Sequence, residues 1–198
     1  MNSLLFVDDH PLYREGILRT LGEALPGLRV QVAGTQDSAL IVLRTEPDVD
    51  LCLADYRLRN ADGLSLLQHV GAEFPLVARG LLCAAPTPEL VRRARDIGCV
   101  ACLSKDRNAE GLAEALNLLF DGGTVFDTSN PEGAERIVSA KRMEILRLAA
   151  AGMTNKAIAE QLGIAERSIK DHWTYLFRQL EVSTRAEAVG VAYRRNLL

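Results

Sequence analysis

Two short apolar runs that each end abruptly in carboxylate limit what this chain can fold into. Leu4-Leu5-Phe6-Val7 runs into Asp8-Asp9, and Leu51-Cys52-Leu53-Ala54 runs into Asp55, with Pro47 upstream and Asp62-Gly63 downstream. Runs of this length bounded by turn residues read as buried strands of a parallel sheet. Each would deliver its carboxylate to the carboxyl end of the strand, the edge where open α/β sheets place their chemistry. If the two strands are neighbours, three carboxylates converge. Crowded carboxylates repel, so they need a hard cation or must take up protons. Oxygen-only ligands favour Mg²⁺.

Further strand-like runs fall at 29–33, about 79–83 and 100–104. Between the strands lie apolar residues at helical spacing: Leu12, Ile17, Leu18, Leu21 and Leu25, then Leu40, Ile41 and Leu43, then Leu64, Leu66, Leu67 and Val70. Leu90, Val91, Ala94 and Ile97, opened by Pro88, and Leu112, Ala115, Leu116 and Leu119 give two more. Five strands alternating with five helices predict a flavodoxin-like, doubly wound, five-stranded parallel sheet covered on both faces, over residues 1–121. Residues 122–136 are rich in Gly, Asp, Ser and Pro and read as a linker.

From 137 to 198 the period is wholly helical and predicts a small all-α domain of four helices. Ser139 can cap a helix carrying Met143, Ile145, Leu146, Leu148 and Ala149, stopped by Gly152. Thr154 or Asn155 caps a second helix, which ends at Gly163. A long helix follows from Glu166 to about Leu180, and a last one runs from near Thr184 to Tyr193. Two helices joined by a Gly-containing turn, the second of them basic, form a helix-turn-helix.

The net charge of −3 hides an asymmetry. Residues 1–135 carry 12 Lys and Arg against 20 Asp and Glu, a balance of −8, whereas 136–198 carry 11 against 6, a balance of +5. An acidic body with a basic tail points to a nucleic-acid module at the tail. On the long helix Ile169, Trp173, Leu176 and Leu180 are spaced to face a core, leaving Arg167, Lys170, Asp171, Thr174 and Arg178 on the opposite side. A recognition helix lays such a face in the major groove of double-stranded DNA, with Lys and Arg on phosphates and Thr174 or Asp171 at base edges. A solvated face on a small bundle has the same spacing, and the +5 balance favours DNA. The amino-terminal stretch lacks a basic n-region and no run reaches membrane-span length, so a cytoplasmic protein without a membrane partner is expected. Cys52, Cys83, Cys99 and Cys102 sit in apolar segments, as reduced thiols do.

These residues carry a family resemblance. Val7-Asp8-Asp9-His10-Pro11-Leu12-Tyr13-Arg14-Glu15-Gly16, Asp55, Asp62-Gly63 and Ser104-Lys105 resemble the receiver domain of a two-component response regulator. Ala151 to Ala159, Leu162-Gly163-Ile164, Ser168 to His172 and Leu180 to Val189 resemble the LuxR-type helix-turn-helix. Together they are similar to the NarL/FixJ-type regulators over nearly the whole chain. The resemblance implies that Asp55 accepts a phosphoryl group from a histidine kinase. It implies Mg²⁺ held by Asp8, Asp9 and Asp55 with the backbone carbonyl of Arg57, and Lys105 pairing with phosphoryl oxygens. It adds Lys156 and Ser168 to the DNA-facing set and implies a homodimer that controls transcription. It does not imply an enzyme.

The sequence departs from that pattern at defined places. Cys83 stands where receivers usually carry a Thr or Ser that bonds the phosphoryl group, and a thiol is a weak donor. Cys102 replaces the usual Tyr or Phe of the fifth strand. Both motivate an alternative, a regulator whose receiver works without phosphorylation, through ligand, redox or constitutive dimerisation. Strand alternation places Cys99 and Cys102 on opposite faces, wrong for a CxxC metal or redox pair. Gly80 is unusual inside a strand, and Ala165 lacks the usual capping hydroxyl. An aspartyl-phosphate phosphatase would need a second Asp where Arg57 stands, and it has no use for a helix-turn-helix.

Overall fold

The computed structural model describes residues 2–59, 61–127, 140–195 and 197–198. The elements run β1 (Ser3–Val7), α1 (Pro11–Ala24), β2 (Arg29–Ala33), α2 (Gln36–Thr45), β3 (Leu51–Asp55), β4 (Arg57–Leu58), β5 (Ala61–Asp62), α3 (Gly63–Glu73), β6 (Ala78–Cys83), α4 (Pro88–Asp96), β7 (Ala101–Ser104), α5 (Ala109–Phe120) and β8 (Val125–Phe126). The helices α6 (Ala140–Ala150), α7 (Asn155–Leu162), α8 (Glu166–Leu180) and α9 (Arg185–Arg194) follow. The fold is the doubly wound parallel sheet and trailing helical module that the apolar periods predict.

Strand order is β2-β1-β3-β6-β7-β8, so the carboxylate-bearing β1 and β3 are hydrogen-bonded neighbours. Side chains alternate between two cores. Leu4, Phe6, Leu51, Leu53, Leu82 and Leu103 face α1 and α5, while Leu5, Val7, Cys52, Ala54, Leu81 and Cys102 face α2, α3 and α4. Periodicity overstates two helices: Ile17 and Leu21 are buried, but Leu12 stands 83% exposed and Ile41 58%. Gly80 has a packing reason, because a Cβ there would lie 2.9 Å from Leu53 Cδ1 and 3.2 Å from the Ala101 Cβ.

A sixth strand joins the five expected from sequence. Val125 and Phe126, within the stretch read as linker, pair in parallel with Ala101 and Cys102. Two residues among turn formers carry no period from which a strand can be recognised. The Ser139 cap lies outside the described residues.

The helical module closes on Ile145, Leu146, Ile158, Ile169, Trp173, Leu176 and Leu180. Thr154 caps α7 by accepting from the Ala157 N–H, and Gly163 ends that helix in the left-handed region at φ 66°. Ala165 at the start of α8 makes no side-chain cap, as read from sequence. The module meets the sheet domain at the amino ends of β1 and β3. Lys141 Nζ donates to the Val49 carbonyl at 2.8 Å, Asn2 Nδ2 donates to the Tyr175 hydroxyl at 2.9 Å, and His172 Nε2 lies 3.5 Å from Asp50 Oδ1. Arg178 pairs with Asp121. Among the described residues no helix is long and apolar enough to cross a membrane.

Candidate functional site

The carboxyl ends of β1 and β3 bring Asp8, Asp9 and Asp55 together with His10, one donor atom of each lying within 4.8 Å of the others. Asp8 is fully buried and Asp55 nearly so. Gly63 makes the geometry of Asp55 possible. A Cβ there would sit 2.1 Å from the Asp55 carbonyl oxygen, so α3 can start against the end of β3 only because residue 63 lacks one. Asp62 caps that helix by accepting from the Leu64 N–H at 2.9 Å.

Lys105, at the end of β7, bridges the acids. Its Nζ lies 2.8 Å from Asp55 Oδ2 and 2.8 Å from Asp8 Oδ2, and 4.6 Å above the Tyr13 ring. Burial alone would lower the Lys105 pKa, but the hydrogen bonds to Asp55 and Asp8 outweigh it and hold it above the ordinary lysine value. Asp55 titrates above the ordinary Asp value because burial disfavours the carboxylate, a push that Asp8 adds to and that Lys105 and the Arg57 N–H oppose. Lys105 thus serves Asp8 and Asp55, while the exposed Arg59 guanidinium stands 3.7 Å from Asp9 Oδ2. The remaining demand falls on Asp9, whose buried Oδ1 has no hydrogen-bond partner although His10 Nδ1 stands 3.1 Å away. An orphaned carboxylate oxygen beside two further acids suits a hard cation such as Mg²⁺. His10 adds a nitrogen ligand atom to the three carboxylates, beyond what the strand-end acids alone suggest. Its backbone N–H also holds Asp8 Oδ1 at 2.8 Å.

A cleft of about 530 Å³ opens over this site, lined by Asp55, Arg57, Cys83, Thr87, Arg93 and Lys105 among others. Cys83 and Cys102 share the α3/α4 face of neighbouring strands, and the Cys102 thiol is hydrogen-bonded to Cys83. That bond is the main cause holding the Cys83 pKa below the ordinary thiol value, and it pushes Cys102 far up. Cys99 corrects the alternation argument. It precedes β7 rather than lying in it, and its side chain joins the same core cluster as Cys102. Burial pushes Cys52 and Cys99 up to about 12.

On α8, Arg167, Lys170, Thr174 and Arg178 are exposed, as is Lys156 on α7, while Ser168 and Asp171 are half-buried. Lys156, Lys170 and Thr174 line one open groove with Trp173 at its wall, and Trp173 Nε1 donates to Asn155 Oδ1 at 3.0 Å. Lys170 also pairs with Glu166 at 3.2 Å. Arg167 and Lys170 give the exposed start of α8 a cationic character that Glu166 and Asp171 offset in part, while Arg178 is held by Asp121 of the sheet domain.

A doubly wound domain with an acid-and-lysine pocket, tied to a helix-turn-helix with a basic face, defines the class of signal-receiving DNA-binding regulators. The family models agree: the response regulator receiver domain matches residues 4–117 and the luxR family of bacterial regulatory proteins matches 136–192. The chain belongs to the LuxR-family, NarL/FixJ-type response regulators. It is 34% identical over 207 residues to a probable transcriptional regulatory protein NarL of Mycobacterium tuberculosis, covering 96% of this chain and 93% of that one. A LuxR family DNA-binding response regulator from Silicibacter pomeroyi superposes with TM-score 0.57 at 29% identity, over 65% of this chain and 98% of the other. The RcsB response regulator of Salmonella typhimurium shares the fold across both domains, with TM-score 0.56 at 22% identity over 96% and 98% of the two chains.

Proposed function

We propose that this regulator accepts a phosphoryl group on Asp55 from a histidine kinase, and that phosphorylation controls homodimerisation and promoter binding in the cytoplasm. The single observation behind this reading is Lys105 Nζ, held 2.8 Å from both Asp55 and Asp8 beside the orphaned Asp9 Oδ1. Phosphoryl transfer is mostly positioning and charge neutralisation, and this pocket offers both. Asp8, Asp9 and Asp55 with the Arg57 carbonyl would hold Mg²⁺, which supplies positive charge to the phosphoryl oxygens. Lys105 would turn from the carboxylates to those oxygens. Cys83, which lines the cleft, takes the donor position and would offer the phosphoryl group a weak S–H in place of a hydroxyl. Arg167, Lys156, Lys170 and Arg178 would neutralise DNA phosphates, with Ser168, Asp171 and Thr174 nearer the bases. We place the receiver at 1–121, extended by β8 from within the 122–136 stretch, the linker in the rest of that stretch and the DNA module at 137–198.

The experiment is DNA binding and oligomeric state with and without beryllofluoride plus Mg²⁺, for the wild type and Asp55→Asn. The expected result is dimerisation and tighter DNA binding in the wild type alone. Identical behaviour of the two proteins under all conditions would refute the role of Asp55.

A further inference from the structure

Of the four cysteines, only Cys83 lines the cleft over Asp55, and only Cys102 is hydrogen-bonded to it. The register pairs Leu81 with Cys102 and Cys83 with Ser104, so the two thiols lie on one face of adjacent strands, one diagonal step apart. Cys102 has a second neighbour of consequence. It pairs in register with Phe126 of β8, and its carbonyl accepts from the N–H of Asp127, the last described residue before α6. Asp127 in turn accepts from the Ser104 N–H at 2.7 Å and from Arg107. The thiol pair therefore touches the phosphoacceptor cleft at one end and the start of the interdomain segment at the other.

We propose that Cys83 and Cys102 form a reversible redox site, oxidised by a hydroperoxide to an intrachain disulfide that disables the cleft and shifts β8. The sulfur of Cys83, reached through the cleft, attacks one peroxide oxygen; the O–O bond breaks, water leaves, and Cys83 becomes a sulfenic acid. The fully buried Cys102 sulfur then attacks that of Cys83; the S–O bond breaks, the S–S bond forms, and a second water leaves. In sum, two thiols and one hydrogen peroxide give a disulfide and two waters.

Geometry makes the bond a switch rather than a staple. With strands about 4.8 Å apart and a rise of about 3.3 Å per residue, a two-residue diagonal spans roughly 8 Å at Cα, beyond the roughly 4.4–6.8 Å of an unstrained disulfide. Closing the bond must draw the end of β6 toward β7, moving the cleft wall and the strand that carries Phe126. Strained disulfides are the easily reduced, regulatory kind. Cys52 and Cys99 share the core but do not line this cleft, and they stay thiols.

The test treats the reduced full-length protein with hydrogen peroxide, alkylates the remaining thiols and maps peptides by mass spectrometry. The expected result is a Cys83–Cys102 linkage, reversed by dithiothreitol, with Cys52 and Cys99 alkylated once the chain is unfolded. Labelling of Asp55 by acetyl phosphate should fall on the order of tenfold in the oxidised protein, less than the loss of a strong preorganised donor costs elsewhere, and return on reduction. In Cys102→Ala the linkage disappears and dimedone traps the Cys83 sulfenic acid. Full alkylation of Cys83 and Cys102 after peroxide, or a linkage through Cys52 or Cys99 instead, overturns the proposal. The effect on the cleft rests on the phosphoacceptor reading, but the bond does not. A reduced protein that takes no label refutes the Asp55 reading alone, and the peptide map still decides the redox site.

Discussion

His172 offers a quantitative test of how the DNA module seats on the sheet domain. It lies on α8 and is 7% exposed, facing Asp50 from the amino end of β3 and Lys141 and Arg142 from α6. Asp50 would favour a charged imidazole, but burial works against it and the two cations add to burial, so the pKa falls to about 4. An exposed histidine titrates near 6.5. The native state therefore refuses a proton that the unfolded or undocked chain accepts. Stability is complete above about pH 6.5 and is lost as pH falls toward 4, by about 2 kcal/mol between pH 7 and pH 5. The assay follows urea unfolding through Trp173, the single tryptophan, at both pH values in the wild type and His172→Gln. The wild type should lose about 2 kcal/mol more than the variant over that span. With three histidines in the chain, NMR titration reads the imidazole directly. A His172 midpoint near 6.5, or parallel losses in the two proteins, would show that the buried seat is wrong.

Three further outcomes follow from packing and charge. Gly63→Ala puts a Cβ 2.1 Å from the Asp55 carbonyl; it should cost about 1–3 kcal/mol in thermal unfolding and cut acetyl phosphate labelling, whereas Gly22→Ala, with nothing within 4 Å, should stabilise α1 by about 0.5–1 kcal/mol. Trp173→Ala removes a 4% exposed core ring and its bond to Asn155, and should cost about 3–5 kcal/mol of module stability by denaturant unfolding monitored by circular dichroism. Lys170→Ala should weaken binding to all DNA sequences alike and lower the slope of log affinity against log salt by about 1 in filter or fluorescence titrations. An unchanged slope would mean that Lys170 touches no phosphate.

Elements with a strong period were legible. Both carboxylate-ended runs became adjacent strands, and α8 spans Glu166–Leu180 as read from its spacing. What escaped has no local signature. β8 is two residues in a turn-rich stretch, and only its pairing with Ala101 and Cys102 makes it a strand. Lys141 reads as a surface residue, yet it is 4% exposed because Val49 and Asp50, about ninety positions away, lie against it. Arg79 reads as an intrusion into an apolar strand, but its guanidinium donates to the Ile97 carbonyl at 2.7 Å in a space left by Gly71 and Gly98. The Cys83–Cys102 bond needed the register between β6 and β7, and the orphaned Asp9 oxygen needed every other partner to be placed first.

The same strands carry both ends of the molecule's working parts. β1 is flanked by Asn2 at one end and by Asp8 and Asp9 at the other; β3 follows Asp50 and ends in Asp55. At about 3.3 Å per residue, five residues separate the acid pocket from the module's seat by roughly 16 Å of close-packed sheet. A central strand buried on both faces cannot slide without moving its neighbours, so β1 and β3 are poor carriers of a local change. β7 and β8 lie at the sheet's edge, where β8 is paired on one side alone. They join Cys102, three residues before Lys105, to Phe126 and Asp127 within one register step. A change at Asp55 therefore meets least resistance by that edge, and substitutions at Phe126 should uncouple DNA binding from beryllofluoride while leaving the pocket able to take it up. Equal loss of both would place the coupling in the central strands instead.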